Sequence, residues 1–258
     1  MNPNETSLYA PELPKALIGN NPPLPYPVEE ALNRLRINVS FLGNHVRRIM
    51  VTSSEPNEGK SFIAMSLWKQ MARAGVKSVL VDVDMRNSEM VLKNRIRRAD
   101  GKQMLGLSHY LSGDVPLEEC LMSTEMPCGD LLPNVNNVVN PSMLLESDRF
   151  GELLDILSAN YRYVFLDTPP LGMVSDGERI GHLCDGAILC VRSAETTRSM
   201  VRNSMAQLER SGCKLLGVAL NRVGGSTGKY GKYYGKKYYG KYYGGKYGEK
   251  YYGRNGKA

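Results

Sequence analysis

Five short runs set the limits on this fold. The stretches RIMVTS at 48–53, SVLVDV at 78–83, YVFLD at 163–167, GAILCV at 186–191 and LLGVAL at 215–220 are each of strand length, and several are apolar at successive positions rather than alternate ones. A strand has two faces, so a run that is apolar on both must be covered on both. Strands of a parallel sheet with helices above and below meet that condition, and strands alternating with helical segments are its sequence pattern. Helical patterns do intervene, at Ser61 to Ala74, closed by Gly75, and from Met143 to about Ala159. Ahead of the first strand, VEEALNRLRINVSFLG repeats Val28, Leu32, Leu35, Val39 and Leu42 at spacings of three and four, the period of an amphipathic helix. The expected architecture is a doubly wound α/β domain with a mainly parallel sheet flanked by helices, and architecture alone leaves function open.

The chain divides into three parts. Residues 1–27 are rich in Pro and Asn and are expected to be irregular. Residues 28–223 form the α/β domain, and a chain of 258 residues with 42% hydrophobic content suffices for its core. From residue 224 Gly, Lys and Tyr dominate, and no aliphatic residue follows apart from Ala258. Such a segment cannot bury enough apolar surface to offset chain entropy, so 224–258 is expected to be a flexible tail. From Lys229 it holds eight Lys and one Arg against one Glu, a formal +8, so that the rest of the chain carries −1 of the total +7. The protein is a near-neutral globule with a basic tail, not a basic protein.

No run of 18 or more apolar residues is present, and the first residues lack the basic start and apolar stretch of a secretory signal. Five dispersed cysteines without CxxC spacing, in a chain read as carrying no export signal, suit a reduced, cytoplasmic protein. Cys184, Cys190 and Cys213 lie in or beside apolar runs and read as buried filler. His45, His109 and His182 show no ligand spacing, which argues against a structural zinc site.

The stretch SSEPNEGKS, Ser53 to Ser61, follows an apolar strand and opens a helix pattern. Gly59, Lys60 and Ser61 meet the right end of G-x-x-x-x-G-K-[ST], and Ser54 replaces its first glycine. Such a loop, here Glu55, Pro56, Asn57, Glu58, Gly59, Lys60, Ser61 and Phe62, points backbone N–H groups at phosphate, helped by the positive end of the helix. Lys60 would reach the β- and γ-phosphates and Ser61 would ligate Mg²⁺. Asn57 stands where glycine is common and tolerates the left-handed conformation better than most residues. Asp82 and Asp84 close the next strand two residues apart, where alternation aims both the same way. Asp167 closes another strand. In a parallel sheet these ends share one edge, where ligands of such folds bind, and three carboxylates, a Lys and a Ser there make a Mg-nucleotide site.

The loop lacking its first glycine, the apolar D-x-D-x-R motif (Asp82, Asp84, Arg86), the apolar D-T-P-P motif (Asp167 to Pro170) and the tyrosine-rich tail together resemble the bacterial tyrosine kinases, over roughly residues 28 to 258. Ten of the 15 tyrosines fall in the tail: Tyr230, Tyr233, Tyr234, Tyr238, Tyr239, Tyr242, Tyr243, Tyr247, Tyr251 and Tyr252. The resemblance implies a P-loop NTPase fold and an ATP- and Mg²⁺-dependent autokinase whose tail is the phosphoacceptor. Lys60 and Arg86 would neutralise phosphate, while Ser61, Asp84 and Asp167 would serve the metal. Asp82 would take the phenol proton, with exchange of roles between Asp82 and Asp84 left open. Asn221, ending the last strand, matches a position that touches adenine in related ATPases, or else caps a turn. The family carries E-x-x-R-x-x-R for assembly into a ring; Glu30 and Arg36 match, while Asn33 stands at the middle Arg and Arg34 is one place off.

Also implied are control of exopolysaccharide or capsule synthesis and export, a transmembrane co-polymerase as activator, separate or fused upstream, a tyrosine phosphatase, and a cytoplasmic place beneath the inner membrane. About thirty coil residues span roughly 30 Å, enough to reach the site of an adjacent subunit. The competing reading is a MinD/ParA-like ATPase whose basic tail lies on membrane or stacks on nucleic acid; beside the nucleotide site, nucleic acid is not the expected partner. Arg95, Arg97 and Arg98 read as solvated surface, Trp68 and Met71 as core, and Asp176 as either a support for the site or a loop residue.

Overall fold

A computed structural model describes residues 12–19 and 22–223. In chain order these form β1 (Ala16–Ile18), α1 (Tyr26–Ser40), β2 (Arg48–Ser53), α2 (Lys60–Arg73), β3 (Ser78–Asp82), α3 (Met90–Asn94), β4 (Ile96–Arg98), α4 (Leu107–Ser112) and α5 (Leu117–Cys120). They continue with β5 (Met122–Ser123), β6 (Gly129–Leu132), α6 (Ser142–Glu146), α7 (Asp148–Asn160), β7 (Tyr163–Asp167), α8 (Asp176–His182), β8 (Gly186–Arg192), α9 (Arg198–Arg210) and β9 (Leu215–Asn221).

Seven strands make one sheet in the order β5-β6-β3-β7-β2-β8-β9, parallel throughout except for the antiparallel β5 at one edge. The doubly apolar runs occupy its centre. Every residue of β3 and β7 is buried, and successive side chains go to opposite cores. Leu80, Ile49, Val51 and Phe165 pack with Trp68, Met71 and Ile63 of α2. Val79, Val81, Val164 and Leu166 pack with Phe150, Leu153, Leu154 and Leu157 of α7. A third group, with Met50, Ala187 and Leu189, meets Leu208 of α9. The edge strand β9 is covered incompletely and leaves Val218 and Leu220 about half exposed.

The chain enters the sheet at β2, passes to β3, and returns later to lay β7 between them. The C-terminal ends of β2, β3 and β7 are therefore neighbours. The register pairs Val51 with Asp167 and Asp167 with Asp82.

Expected strand bounds hold for β2 and β7 and extend by one residue for β8 and β9. β3 stops at Asp82, so Asp84 lies beyond the strand rather than two places along it. The helix expected over 143–159 is two, α6 and α7, because Ser147 is extended (φ −66°, ψ 147°) between them. The segment expected to be irregular up to residue 27 contains β1, paired antiparallel with β4, and the start of α1. Trp68 and Met71 are fully buried, Cys190 and Cys213 are buried, and Cys184 is half-buried against two of the cores. Among the described residues no helix is long and apolar enough to cross a membrane. The expected tail from residue 224 and its tyrosines lie outside the described residues.

Trp68 anchors the α2 core; its indole N–H donates to the Ser78 carbonyl at 3.3 Å, and Gly129 leaves room for the ring. Trp68→Ala is expected to lower stability by about 3–5 kcal/mol, measured as a fall in the urea midpoint at unchanged m.

Candidate active site

The loop between β2 and α2 turns through two left-handed residues, Asn57 (φ 64°) and Gly59 (φ 96°). Asn57 accepts that conformation as its short polar side chain permits. Gly59 is required twice over, for its φ and because a Cβ there would sit 2.0 Å from Asn221 Nδ2. As N-cap of α2 it offers no side chain to the first helical amides. Those amides have no intrahelical partner and lie at the positive end of a 14-residue helix, the setting in which phosphate is held.

The sheet edge then supplies charge. The Lys60 ammonium lies 2.7 Å from Asp84 Oδ2 and 3.9 Å from Asp167 Oδ1. Burial by itself would lower Lys60; the charges of Asp167, Asp84 and Asp82 outweigh it and keep the ammonium above the ordinary lysine value. Burial pushes the Asp82 carboxyl well above the usual carboxylate range, and the adjacent Asp167 adds to the effect, against a hydrogen bond donated by the Ser88 hydroxyl. Asp167 is raised chiefly by burial, with Lys60 and the Ser61 hydroxyl opposing. One carboxylate oxygen of Asp82 and one of Asp167 are buried without a hydrogen-bond partner.

Those orphaned oxygens, in a cluster of three carboxylates and one ammonium, suit a divalent cation. Among the described residues no three His, Cys, Asp or Glu side chains form a closed ligand set.

Lys60, Ser61, Asp82, Asp84, Arg86 and Asp167 all line one cavity of about 780 Å³. Of the expected nucleotide-loop residues, Pro56, Asn57, Gly59 and Phe62 line it as well, whereas Glu55, Glu58 and Asn221 do not. The Glu58 side chain is buried within the loop, and Asn221 gives its Nδ2–H to the Glu58 carbonyl and accepts from the Arg222 amide. These two bonds leave the amide a second N–H and a second acceptor lone pair.

Arg86 has a side-chain partner that its expected part did not include. Its Nε and Nη2 donate to the two oxygens of Asp176 at 2.6 and 3.1 Å, so the guanidinium at the cavity wall is braced against the start of α8. Asp176 is buried, and the Ser142 hydroxyl donates to it as well, which settles it as a support for that wall. On α1, Glu30 accepts from Arg34 at 3.1 Å and Asn33 accepts from Arg36 at 3.0 Å. Sequence reasoning passed over Ser88, Thr196 and Ser204, isolated hydroxyl residues with no spacing to mark them.

Fold and site together define a P-loop nucleotide-binding domain. Residues 49–241 match the family model described as the CobQ/CobB/MinD/ParA nucleotide binding domain. The chain is 36% identical, over 81% of its length and 90% of the relative's, to the tyrosine-protein kinase CpsD of Streptococcus agalactiae. Its structure resembles the kinase domain of the Escherichia coli tyrosine kinase ETK, with a TM-score of 0.68, 26% identity, and coverage of 78% of this chain and 79% of that one. The septum site-determining protein MinD from Pyrococcus horikoshii, solved with Mg-ADP, shares the fold at a TM-score of 0.58 and 22% identity, over 70% of this chain and 72% of that one. The chain belongs to the bacterial tyrosine kinases.

The buried Asp82 sets a pH dependence. Its native carboxyl holds a proton more tightly than the unfolded one, so stability falls as pH rises from the ordinary carboxylate value through the native value. In protein free of magnesium and nucleotide, Asp82→Asn is expected to melt at a higher temperature than the parent at neutral pH. The gain should vanish below the ordinary carboxylate value, where Asp82 is protonated folded or unfolded. Melting curves across that range check this; a lower melting temperature for Asp82→Asn at neutral pH would count against it.

Proposed function

We propose that this chain is an ATP-dependent protein-tyrosine autokinase that modifies the tyrosine cluster of a second copy of itself. The observation that carries the reading is the Lys60–Asp84–Asp167 cluster beside buried Asp82 at the head of α2, in a chain that ends in ten closely spaced tyrosines.

Lys60, charged at neutral pH, lies where β- and γ-phosphate charge would be neutralised. Ser61, Asp84 and Asp167 would hold magnesium, which would supply positive charge against the developing charge of the departing diphosphate. A tyrosine hydroxyl has a pKa of about 10 and needs orienting more than it needs a strong base. Asp82 accepts its proton, and burial makes this carboxylate more basic than a free one. The phenol oxygen bonds to the γ-phosphorus, the bond from that phosphorus to the β–γ bridging oxygen breaks, and ADP leaves. Arg86, braced on Asp176, shapes the cavity wall and adds positive potential there.

We further assign residues 28–223 to the kinase domain and 224–258 to its acceptor tail. Ring assembly would involve Glu30 and Arg36 on α1. The protein would work beneath the inner membrane with a transmembrane polysaccharide co-polymerase, and a tyrosine phosphatase would reset it. Each phosphotyrosine adds about −1.5 to −2 charge at neutral pH, so roughly five would cancel the tail's +8 and let tails repel.

Intact mass after incubation with Mg-ATP is expected to rise in phosphate-sized steps that map to residues 230–252, and Lys60→Met is expected to show none. ATP hydrolysis with an unmodified tail and salt-sensitive binding to DNA or anionic lipid would favour a MinD-like ATPase instead. Mixing the Lys60→Met chain with an active chain lacking its tail should place phosphate on the Lys60→Met tail. A tail left bare in that mixture overturns transfer between copies.

A further inference from the structure

The phosphate loop lacks its usual first glycine, and side-chain contacts stand in that place. Ser54 is buried, and the hydroxyl of Ser204 on α9 donates to its hydroxyl at 2.8 Å. Four residues on, the Glu58 carboxylate is 3% exposed and turned into the loop. Its Oε2 accepts from the amides of Ser54 at 2.7 Å and Glu55 at 3.1 Å. Its Oε1 accepts from the hydroxyl of Thr196 in the turn between β8 and α9. Thr196 in turn accepts from the Arg192 amide at 2.9 Å, which leaves its one proton for Glu58. Three donors on two oxygens fit an ionised carboxylate, whereas a glutamine there would have to turn the Thr196 hydroxyl from donor to acceptor. The Glu58 carbonyl meanwhile accepts from Asn221 at 2.9 Å. One residue thus ties the loop to partners 138 and 163 positions away.

A carboxylate this near a phosphate site opposes the binding of a polyanion by charge. Electrostatics alone predicts that neutralising Glu58 tightens nucleotide binding. If the carboxylate instead gives the loop its shape before phosphate arrives, neutralising it weakens binding, because the ordering cost then falls on the binding step.

We propose that Glu58 is a positioning residue that clamps the phosphate loop to the β8–α9 turn and so pre-forms the phosphate cradle. The inference rests on the nucleotide reading of the site and is independent of tyrosine as the acceptor. A loop held by Ser54–Ser204 and Glu58–Thr196 does not need the first glycine's freedom, since its entry is fixed from α9 and from the turn before it.

The test uses the full chain with Glu58→Gln, Thr196→Val and Thr196→Ser. It reads Mg-ADP affinity by calorimetry and, in nucleotide-free protein, amide hydrogen exchange at residues 54–59. Glu58→Gln and Thr196→Val are expected to weaken Mg-ADP about tenfold or more. Both should speed exchange at Ser54 and Glu55, and Thr196→Ser should restore both readouts. The double variant should be no weaker than the worse single one, as for two ends of one contact. Unchanged or tighter binding overturns the proposal. So does weakened binding with unchanged exchange, which would make Glu58 a direct ligand contact. Should Glu58→Gln not fold, Thr196→Val with its Ser rescue carries the test from the other side of the contact. Neither readout involves tail phosphorylation, so failure of the kinase reading leaves it standing.

Discussion

One ammonium among three carboxylates governs the ligand edge of this sheet. Asp82 and Asp167 sit opposite each other on adjacent strands, each about 1% exposed, and Asp84 follows just beyond the end of β3. Like charges this close and this dry would force protons onto the carboxylates, or the strands apart, without a counter-charge. Lys60, the first residue of α2, supplies it. The interaction therefore joins the helix after the phosphate loop to the end of the next strand, β3, and to the end of β7, which the chain reaches much later. The cluster still carries more negative than positive charge and keeps unpartnered oxygens, which leaves it receptive to a divalent cation.

The loop above this cluster is shaped from outside. Gly59 gives the reversal its left-handed corner and the clearance that lets Asn221 approach. Glu58 and Ser54 reach the two elements that flank it. Arg86 and Asp176 do the same for the opposite wall, where a bidentate pair fixes β3's exit to α8. Much of the polar side-chain chemistry around the loop thus holds backbone in place, while Lys60, Ser61, Asp82, Asp84 and Asp167 line the cavity itself.

The central strands were legible because burial on both faces leaves a continuous apolar run, and β2 and β7 keep the bounds that the sequence implies. Lys60, Ser61, Asp82, Asp84 and Asp167 were legible for a related reason: each follows such a run or opens the helix after it. What escaped lacks local period. β1 and β4 have three residues each and β6 has four, too short to alternate visibly. The break at Ser147 carries neither Pro nor Gly; its hydroxyl instead donates to the Leu144 carbonyl. Glu58–Thr196, Ser54–Ser204 and Arg86–Asp176 join positions 90 to 150 apart, and no spacing within one element encodes such a pair. Glu58 was read as part of a loop offering backbone N–H groups, and Asn221 by its match to related ATPases or as a turn cap; where either side chain turns is not visible in sequence.

The orphaned oxygens of Asp82 and Asp167 reach beyond chemistry. A fold that keeps carboxylate oxygens in its interior without hydrogen-bond partners is weakest when nothing occupies them, and a ligand that binds only the native form shifts the folding balance by mass action. Newly made chains in an energy-depleted cell would spend more time open to proteases than chains in a well-fed one. Abundance of this protein would then track cellular energy supply with no dedicated sensor, through the same two aspartates.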